Sequence, residues 1–117
     1  MKIQKSAEDY LESILMIKER QGYVRSIDIS VELGVTKPSV SYATKRLREN
    51  GYLTVDDNGH LDLTEAGYEI ASRIYERHKV LTKALTALGV TPEIAAEDAC
   101  KIEHDMTNET FQAIKSY

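Results

Sequence analysis

The chain has 117 residues, 42% of them hydrophobic and 29% charged, which describes one small globular domain or one domain with a helical extension. No apolar run is long enough to cross a membrane, and Met1–Gln21 carries acidic side chains where a signal peptide would be apolar. The single cysteine excludes an internal disulfide. These features exclude a membrane-spanning or disulfide-stabilised protein, and we expect a cytoplasmic one.

The formal net charge of −4 is unevenly distributed along the chain. Residues 1–50 contain nine Lys and Arg against seven Asp and Glu, a balance of +2, whereas residues 51–117 contain six against twelve, a balance of −6. The first half is compatible with a phosphate backbone, and the acidic second half suits metal cations or a protein partner. Charge alone does not show whether the chain binds nucleic acid, metal ions or a protein partner.

The first stretch predicts an amphipathic helix that starts with Ser6 as its N-cap and ends near Gly22. Its apolar stripe consists of Tyr10, Leu11, Ile14, Leu15 and Ile17. Asp9 and Glu12 cluster on the opposite side of this helix. Taken alone, Asp9 also fits a capping role in the first turn, and Glu12 fits a solvated surface acid.

Two short helices follow with helix-turn-helix spacing. Ser26–Leu33 predicts the second helix, stopped by Gly34, and the third runs from Lys37 to Asn50 with a proline in its first turn. Small hydroxyls and a tyrosine near the start of the third helix, with cations further along, suit a helix that enters the major groove of DNA. The predicted DNA-binding residues are Lys37, Pro38, Ser39, Ser41, Tyr42, Lys45 and Arg46. The alternative is a helical bundle whose charged face is only solvated.

A predicted hairpin argues against that alternative. Tyr52–Val55 and His60–Leu63 predict two strands, and the Asn58-Gly59 pair between them is typical of a type I′ turn. A helix-turn-helix followed directly by a hairpin is a winged helix, which predicts a DNA-binding domain over residues 1–63. His60 is interpreted as a surface residue at the wing.

The rest of the chain, residues 64–117, predicts a second, helical domain, so the expected fold class is mainly α. Thr64 caps a long helix that contains His78 and ends near Gly89. Thr91-Pro92 opens the next helix, which is expected to pack through Ile94, Ala95, Ala99 and Ile102 and to extend through His104. Thr107 starts a last helix.

Cys100, Glu103 and His104 have the i, i+3, i+4 spacing that places side chains on one helix face. A thiolate, a carboxylate and an imidazole held together in this way form a plausible half of a transition-metal site. Asp9, Glu12 and His78 are candidates for the remaining ligands. Taken alone, a lone helical histidine such as His78 is more often structural or solvated.

Taken in order, these motifs resemble the DtxR/MntR family of metal-dependent transcriptional repressors. The resemblance covers nearly the whole chain and rests on Glu8-Asp-Tyr-Leu-Glu-Ser-Ile14, Val35-Thr-Lys-Pro-Ser-Val-Ser41, Leu63-Thr-Glu-Ala-Gly67, Arg77-His78 and Cys100-Lys-Ile-Glu-His104. It implies a homodimer that binds a palindromic operator in double-stranded DNA and controls metal-uptake genes. It also implies a short form that lacks the SH3-like third domain of the iron branch.

The resemblance implies that the metal ligands are Asp9, Glu12, His78, Cys100, Glu103 and His104. The set is mixed, because the manganese branch has aspartate at the position of Asp9, whereas the iron branch has cysteine at the position of Cys100. The implied co-repressor is Fe²⁺ or Mn²⁺, and Zn²⁺ or other divalent transition metals are expected to bind in vitro. Thr82 and Ala96 replace the glutamate and histidine of the iron branch's ancillary site.

Two other functions are compatible with parts of the sequence. A metal-independent winged-helix regulator that responds to an organic ligand would explain the first domain and leave Cys100, Glu103 and His104 without a role. A metalloenzyme could use the same ligand types. No substrate cleft is indicated, however, and a complete DNA-binding domain leaves little chain for one, so we expect no enzymatic activity.

Overall fold

The computed structural model describes residues 5–117, which form six helices and one two-stranded sheet. In chain order the elements are α1 Lys5–Gln21, α2 Ser26–Leu33, α3 Lys37–Glu49, β1 Leu53–Val55, β2 Leu61–Leu63, α4 Glu65–Ala87, α5 Pro92–Ile102 and α6 Asn108–Ser116. The chain divides into two compact units, Met1–Ser72 and Arg73–Tyr117, and α4 contributes residues to both. Within residues 5–117, no helix combines the length and the apolar character needed to cross a membrane.

Helix α1 supplies much of the core of the first unit. Leu11, Ile14 and Ile17 are completely buried, as expected from the apolar stripe in the sequence. The predicted N-cap is wrong, because α1 already includes Lys5 and Ser6. A serine within the first turn of a helix is still tolerated, because the N–H groups there have no partner inside the helix.

Helices α2 and α3 form the predicted helix-turn-helix. Gly34 ends α2 with a φ of 66°, a left-handed conformation that glycine adopts without a steric penalty. The side chain of Thr36 accepts a hydrogen bond from the N–H of Ser39 at 3.3 Å and caps α3. Val40 and Leu47 on the inner face of α3 are buried.

The two strands form an antiparallel wing in which Leu53 pairs with Leu63 and Val55 pairs with Leu61. A hydrogen bond from the N–H of Leu61 to the carbonyl of Val24 attaches the wing to the segment before α2. The predicted winged helix is therefore confirmed.

The turn at the tip of the wing differs from the prediction. A type I′ turn needs positive φ at both central residues, but among the residues described only glycines have positive φ, and here that residue is Gly59 at 78°. The Asp56 carboxylate accepts hydrogen bonds from the N–H groups of Asn58 (2.8 Å) and His60 (2.9 Å) and holds a wider loop. These bonds lower the pKa of Asp56. His60 lies beside the same carboxylate at 3.7 Å.

The start of α4 is fixed against the wing by Thr64 and Gly67. The Thr64 hydroxyl accepts from the N–H of Gly67 at 3.2 Å and donates to the carbonyl of Gly51 at 2.6 Å. A Cβ atom at Gly67 would lie 2.0 Å from the carbonyl oxygen of Tyr52. Only glycine therefore allows this close approach of helix and strand.

In the second unit, α5 packs through alanines. Ala95 and Ala99 are completely buried, whereas Ile94 and Ile102 are 50% and 40% exposed. The packing stripe predicted for α5 is therefore only half right, because residues 95 and 99 define the buried face and the two isoleucines lie beside it. Thr107 caps α6 by accepting a hydrogen bond from the N–H of Thr110 at 3.2 Å.

Candidate functional site

Three potential metal ligands meet in the second unit. His78 projects from α4, Cys100 lies in the last turn of α5, and Glu103 follows directly after α5. The His78 Nδ1 atom is 2.9 Å from Glu103 Oε2 and 3.7 Å from Cys100 Sγ. We call His78, Cys100 and Glu103 the ligand cluster. It brings His78 together with two residues that lie 22 and 25 positions further along the chain.

The end of α5 differs from the prediction in a way that matters for the cluster. The helix ends at Ile102, so Glu103 is its C-cap and His104 lies in the turn that leads to α6. Glu103 still has helical dihedral angles, and its N–H donates to the carbonyl of Ala99. The expected i, i+3 relation of Cys100 and Glu103 is therefore preserved, but His104 is positioned by a turn and not by the helix.

Glu103 is the most deeply buried ionisable group of the cluster, with no exposed surface. Burying a carboxylate is strongly unfavourable unless it is paired. Two imidazoles contact it, since His78 Nδ1 lies 2.9 Å from one oxygen and His104 Nε2 lies 3.4 Å from the other. The His104 side chain is itself only 1% exposed. The Cys100 thiol, in contrast, is exposed.

The cluster changes the protonation of His78. The hydrogen bond with Cys100, followed by that with Glu103, raises the pKa of His78 to about 10, whereas burial acts in the opposite direction. In the metal-free protein at neutral pH, this imidazole is therefore positively charged, with a proton on each ring nitrogen. A metal that binds to Nδ1 must displace that proton, because only the neutral ring offers a lone pair.

The donor set fits a transition-metal ion. One ligand atom from each of the three residues lies within 4.8 Å of the others. Ligand bonds of about 2.0–2.3 Å place two ligands of one ion up to about 4.6 Å apart, so small side-chain rotations are enough. Imidazole, thiolate and carboxylate together suit a first-row transition metal better than Mg²⁺ or Ca²⁺.

Asp9 and Glu12 lie one turn apart on α1, in the first unit. Glu12 is 5% exposed, and Asp9 is half-buried. The alternative interpretation of Glu12 as a solvated surface acid is therefore wrong. The assignment of Asp9 and Glu12 as metal ligands stays a prediction.

Helix α3 exposes every predicted DNA-binding residue. The exposed set is Lys37, Pro38, Ser39, Ser41, Tyr42, Lys45 and Arg46. Thr44 faces the core, and its hydroxyl donates to the carbonyl of Val40 at 2.8 Å. The surface that could contact DNA is thus separated from the face that packs, as a recognition helix requires.

Two contacts in the structure were not among the features predicted from the sequence. Arg46 donates to the Tyr42 hydroxyl at 3.1 Å and lies over its ring, and this i, i+4 spacing was visible in the sequence. Arg77 is buried and bonds to the turn after α5. Its signal was its position, since it falls at helical spacing between Ile74 and Leu81 in the apolar stripe of α4.

Comparison with known families agrees with this arrangement. Residues 2–61 match the model described as the N-terminal DNA-binding domain of iron-dependent repressors. Residues 64–117 match the model of the metal-binding and dimerisation domain of iron-dependent repressors. The chain belongs to the iron-dependent repressor family. This confirms the resemblance inferred from the sequence motifs.

Within this family, the chain is 34% identical over 110 residues to the transcriptional regulator MntR of Escherichia coli O6:H1. The match covers 94% of this chain and 71% of that protein. The crystal structure of T. acidophilum IdeR matches with a TM-score of 0.83 at 28% identity, over 99% of this chain and 54% of that one. A manganese-dependent transcriptional repressor in complex with manganese matches with a TM-score of 0.83 at 26% identity, over 94% and 51%. The chain spans about half the length of both solved structures.

Proposed function

We propose that this protein is a metal-dependent transcriptional repressor that binds DNA as a homodimer when its ligand cluster holds Fe²⁺ or Mn²⁺, and that it controls metal-uptake genes. The observation that carries the proposal is the meeting of His78, Cys100 and Glu103 in one unit of a chain whose other unit is a winged helix. Family membership and the manganese complex of a similar repressor support it.

Six residues are the proposed ligands: Asp9, Glu12, His78, Cys100, Glu103 and His104. Asp9 and Glu12 are included because of the resemblance to the manganese branch of the family. The Cys100 thiolate favours Fe²⁺ over Mn²⁺, whereas the carboxylates and imidazoles accept either ion. When bound, the ion would supply the positive charge that neutralises the thiolate and the carboxylates.

The proposed mechanism depends on ligands in both units. Asp9 and Glu12 belong to α1, whose apolar face packs in the core of the DNA-binding unit, and the other four ligands belong to the second unit. Carboxylates on α1 that share a site with the ligand cluster would restrict the positions that the winged helix can take. Repression requires that the DNA-competent arrangement has the higher affinity for metal.

On DNA, each protomer would place α3 in the major groove. Ser39, Ser41 and Tyr42 would face base edges, and Lys37, Lys45 and Arg46 would face phosphates. Two-fold symmetry of the dimer predicts a palindromic operator. The exposed apolar residues Leu88, Ile94 and Ile102 of the second unit are available for contact with a second copy.

The test is an anaerobic DNA-binding titration. An operator is first selected from random duplexes with the Mn²⁺-loaded protein. Fluorescence anisotropy then measures binding by chelated protein on addition of Fe²⁺, Mn²⁺ or Zn²⁺. We expect strong binding only with metal, and we expect the Glu103→Ala/His104→Ala double variant to remain folded and lose at least about 100-fold of the metal-stimulated affinity.

Glu97→Ala is the matched control, because Glu97 is an exposed acid on α5 outside the ligand cluster. It should respond to metal as the unmodified protein does. Equal DNA binding with and without metal would overturn the proposal and favour a metal-independent regulator that answers to an organic ligand. A double variant that still responds to metal would refute the ligand assignment.

The same proposal assigns no catalytic role to the cluster and places the protein in the cytoplasm, where the DNA and the labile metal pool are both accessible. Its basis is that the family consists of transcriptional repressors. Metal-loaded protein should accordingly turn over no substrate in assays for phosphatase and peptidase activity.

A further inference from the structure

Arg77 occupies a position where an apolar side chain is expected. It lies between Ile74 and Leu81 on the buried face of α4, and only 8% of its surface is exposed. A buried guanidinium is strongly unfavourable unless its donors are satisfied. Its partners therefore indicate what the residue does.

The guanidinium bonds to the main chain of the turn that links α5 to α6. Arg77 Nη1 donates to the carbonyl oxygen of Glu103 at 3.1 Å and to that of Met106 at 2.8 Å. These carbonyls lie at or just beyond the C-terminus of α5, where the helix dipole is negative and carbonyl groups lack partners inside the helix. One side chain thus holds both ends of the turn that contains His104.

A third contact restrains the guanidinium from α6. Its Cζ atom lies 5.4 Å from the centre of the Phe111 ring, which is 2% exposed. An arginine that bonds to two carbonyls and stacks on an aromatic ring has little freedom to rotate. Arg77 therefore connects α4, the turn and α6 through one rigid group.

Arg77 and His78 are consecutive, and both contact Glu103. Arg77 holds the carbonyl of Glu103, whereas His78 Nδ1 meets its carboxylate at 2.9 Å. The glutamate is thus held at its main chain by one residue of α4 and at its side chain by the next. An error in the position of the turn would move Glu103 and His104 relative to His78.

We propose that Arg77 is a positioning residue, which orders the turn from Glu103 to Met106 and so places the Glu103 carboxylate and the His104 imidazole for metal binding. This inference rests on the proposed function, since it assigns a role to Arg77 in the same metal site. Outer residues that orient metal ligands typically contribute about 10- to 100-fold to metal affinity.

The experiment compares Arg77→Met and Arg77→Lys in the full chain. Methionine fills a similar apolar volume without donors, so the variant should fold, and lysine keeps the charge but not the planar fork. Anaerobic Co²⁺ titrations, read by the thiolate-to-metal absorption band, should show an affinity loss of about 10- to 100-fold for Arg77→Met, and a smaller loss for Arg77→Lys. Hydrogen exchange of the metal-free variants should show faster exchange at residues 104–106.

Two controls separate positioning from packing and from charge. Ile74→Val loosens the packing of the same buried face of α4 but retains both hydrogen bonds, and Lys79→Met removes an exposed positive charge two residues after Arg77. Both should keep Co²⁺ affinity within about threefold. The proposal is overturned if Arg77→Met binds Co²⁺ as the unmodified protein does, or if Ile74→Val loses as much affinity at equal thermal stability.

The two proposals can fail separately. A thiolate-to-Co²⁺ absorption band that disappears in Cys100→Ser is expected for the unmodified protein. If this band is absent, the proposed ligand set is wrong. Exchange at residues 104–106 in metal-free protein still tests the ordering by Arg77 in that case. If the band is present and the exchange rates in Arg77→Met are unchanged, the positioning role alone is wrong.

Discussion

The recognition helix α3 and the ligand cluster both depend on polar and charged side chains, but they hold them in opposite environments. On α3, Tyr42 is 65% exposed and its partner Arg46 is exposed as well. In the ligand cluster, Glu103 is fully buried against an imidazole that is 15% exposed. Exposed charges are screened by water and affect binding more than stability, whereas buried ones depend on each other for both.

The largest expected effect of this difference is on stability. His78→Ala leaves the Glu103 carboxylate buried without its 2.9 Å partner and should lower the free energy of unfolding of metal-free protein by about 3 kcal/mol at pH 7. Chemical denaturation in the presence of chelator measures it. Arg46→Ala removes an exposed hydrogen bond and stacking contact and should change stability by less than about 0.5 kcal/mol.

The two results must be read together. Equal losses for the two variants would show that burial does not distinguish the regions. A loss below about 1 kcal/mol for His78→Ala would show that the burial of Glu103 does not depend on its contact with His78.

The sequence predicted elements that depend on local chemistry. The start of α2 follows from Asp28, whose carboxylate accepts a hydrogen bond from the N–H of Arg25 at 2.9 Å, and its end follows from the left-handed glycine at position 34. The start of α3 follows from Thr36 and Pro38. The polar face of α3 followed from helical periodicity. Each of these signals involves residues within about four positions, where backbone geometry fixes which side chains meet.

Features that depend on tertiary contacts were harder to predict. The sequence offered His78, Cys100 and Glu103 as ligand candidates, and family resemblance joined them, but no local pattern gave the 2.9 Å contact across 25 positions. Helix α5 ends at Ile102, and the turn that follows is hydrogen-bonded by the Arg77 guanidinium, which belongs to another helix. The burial of Glu12 likewise had no signal in the amphipathic pattern of α1, which predicted an outward-facing acid.

The next effect concerns pH and arises only in the buried region. Folding raises the pKa of His78 from an ordinary value of 6.5 to about 10, so its contribution to stability is complete below pH 6.5 and is lost as the pH rises towards 10. Between these limits the folded protein holds one more proton than the unfolded one. The free energy of unfolding of metal-free protein should therefore decrease as the pH rises through this range, with a limiting slope of about 1.4 kcal/mol per pH unit.

Urea denaturation at several pH values between 6.5 and 10, with chelator present, measures this slope. His78→Gln should reduce the slope, since glutamine cannot take up the proton. A wild-type stability that is flat or rises with pH over this range would contradict the raised pKa. Arg46→Ala should leave the wild-type slope unchanged, because Arg46 is exposed on α3 and belongs to a different unit from His78.

The smallest effects are expected on α3 and should appear only in DNA binding. Tyr42→Ala should lower affinity for the selected operator about tenfold and leave affinity for random duplex unchanged, because Tyr42 is proposed to face base edges. Lys45→Ala should weaken binding to both duplexes and reduce the slope of log affinity against log salt by about 1, as expected for one lost phosphate contact. Neither variant should alter Co²⁺ affinity. If Tyr42→Ala weakens both duplexes equally while Lys45→Ala affects only the operator, the two side chains have exchanged roles, and α3 enters the groove in a different orientation.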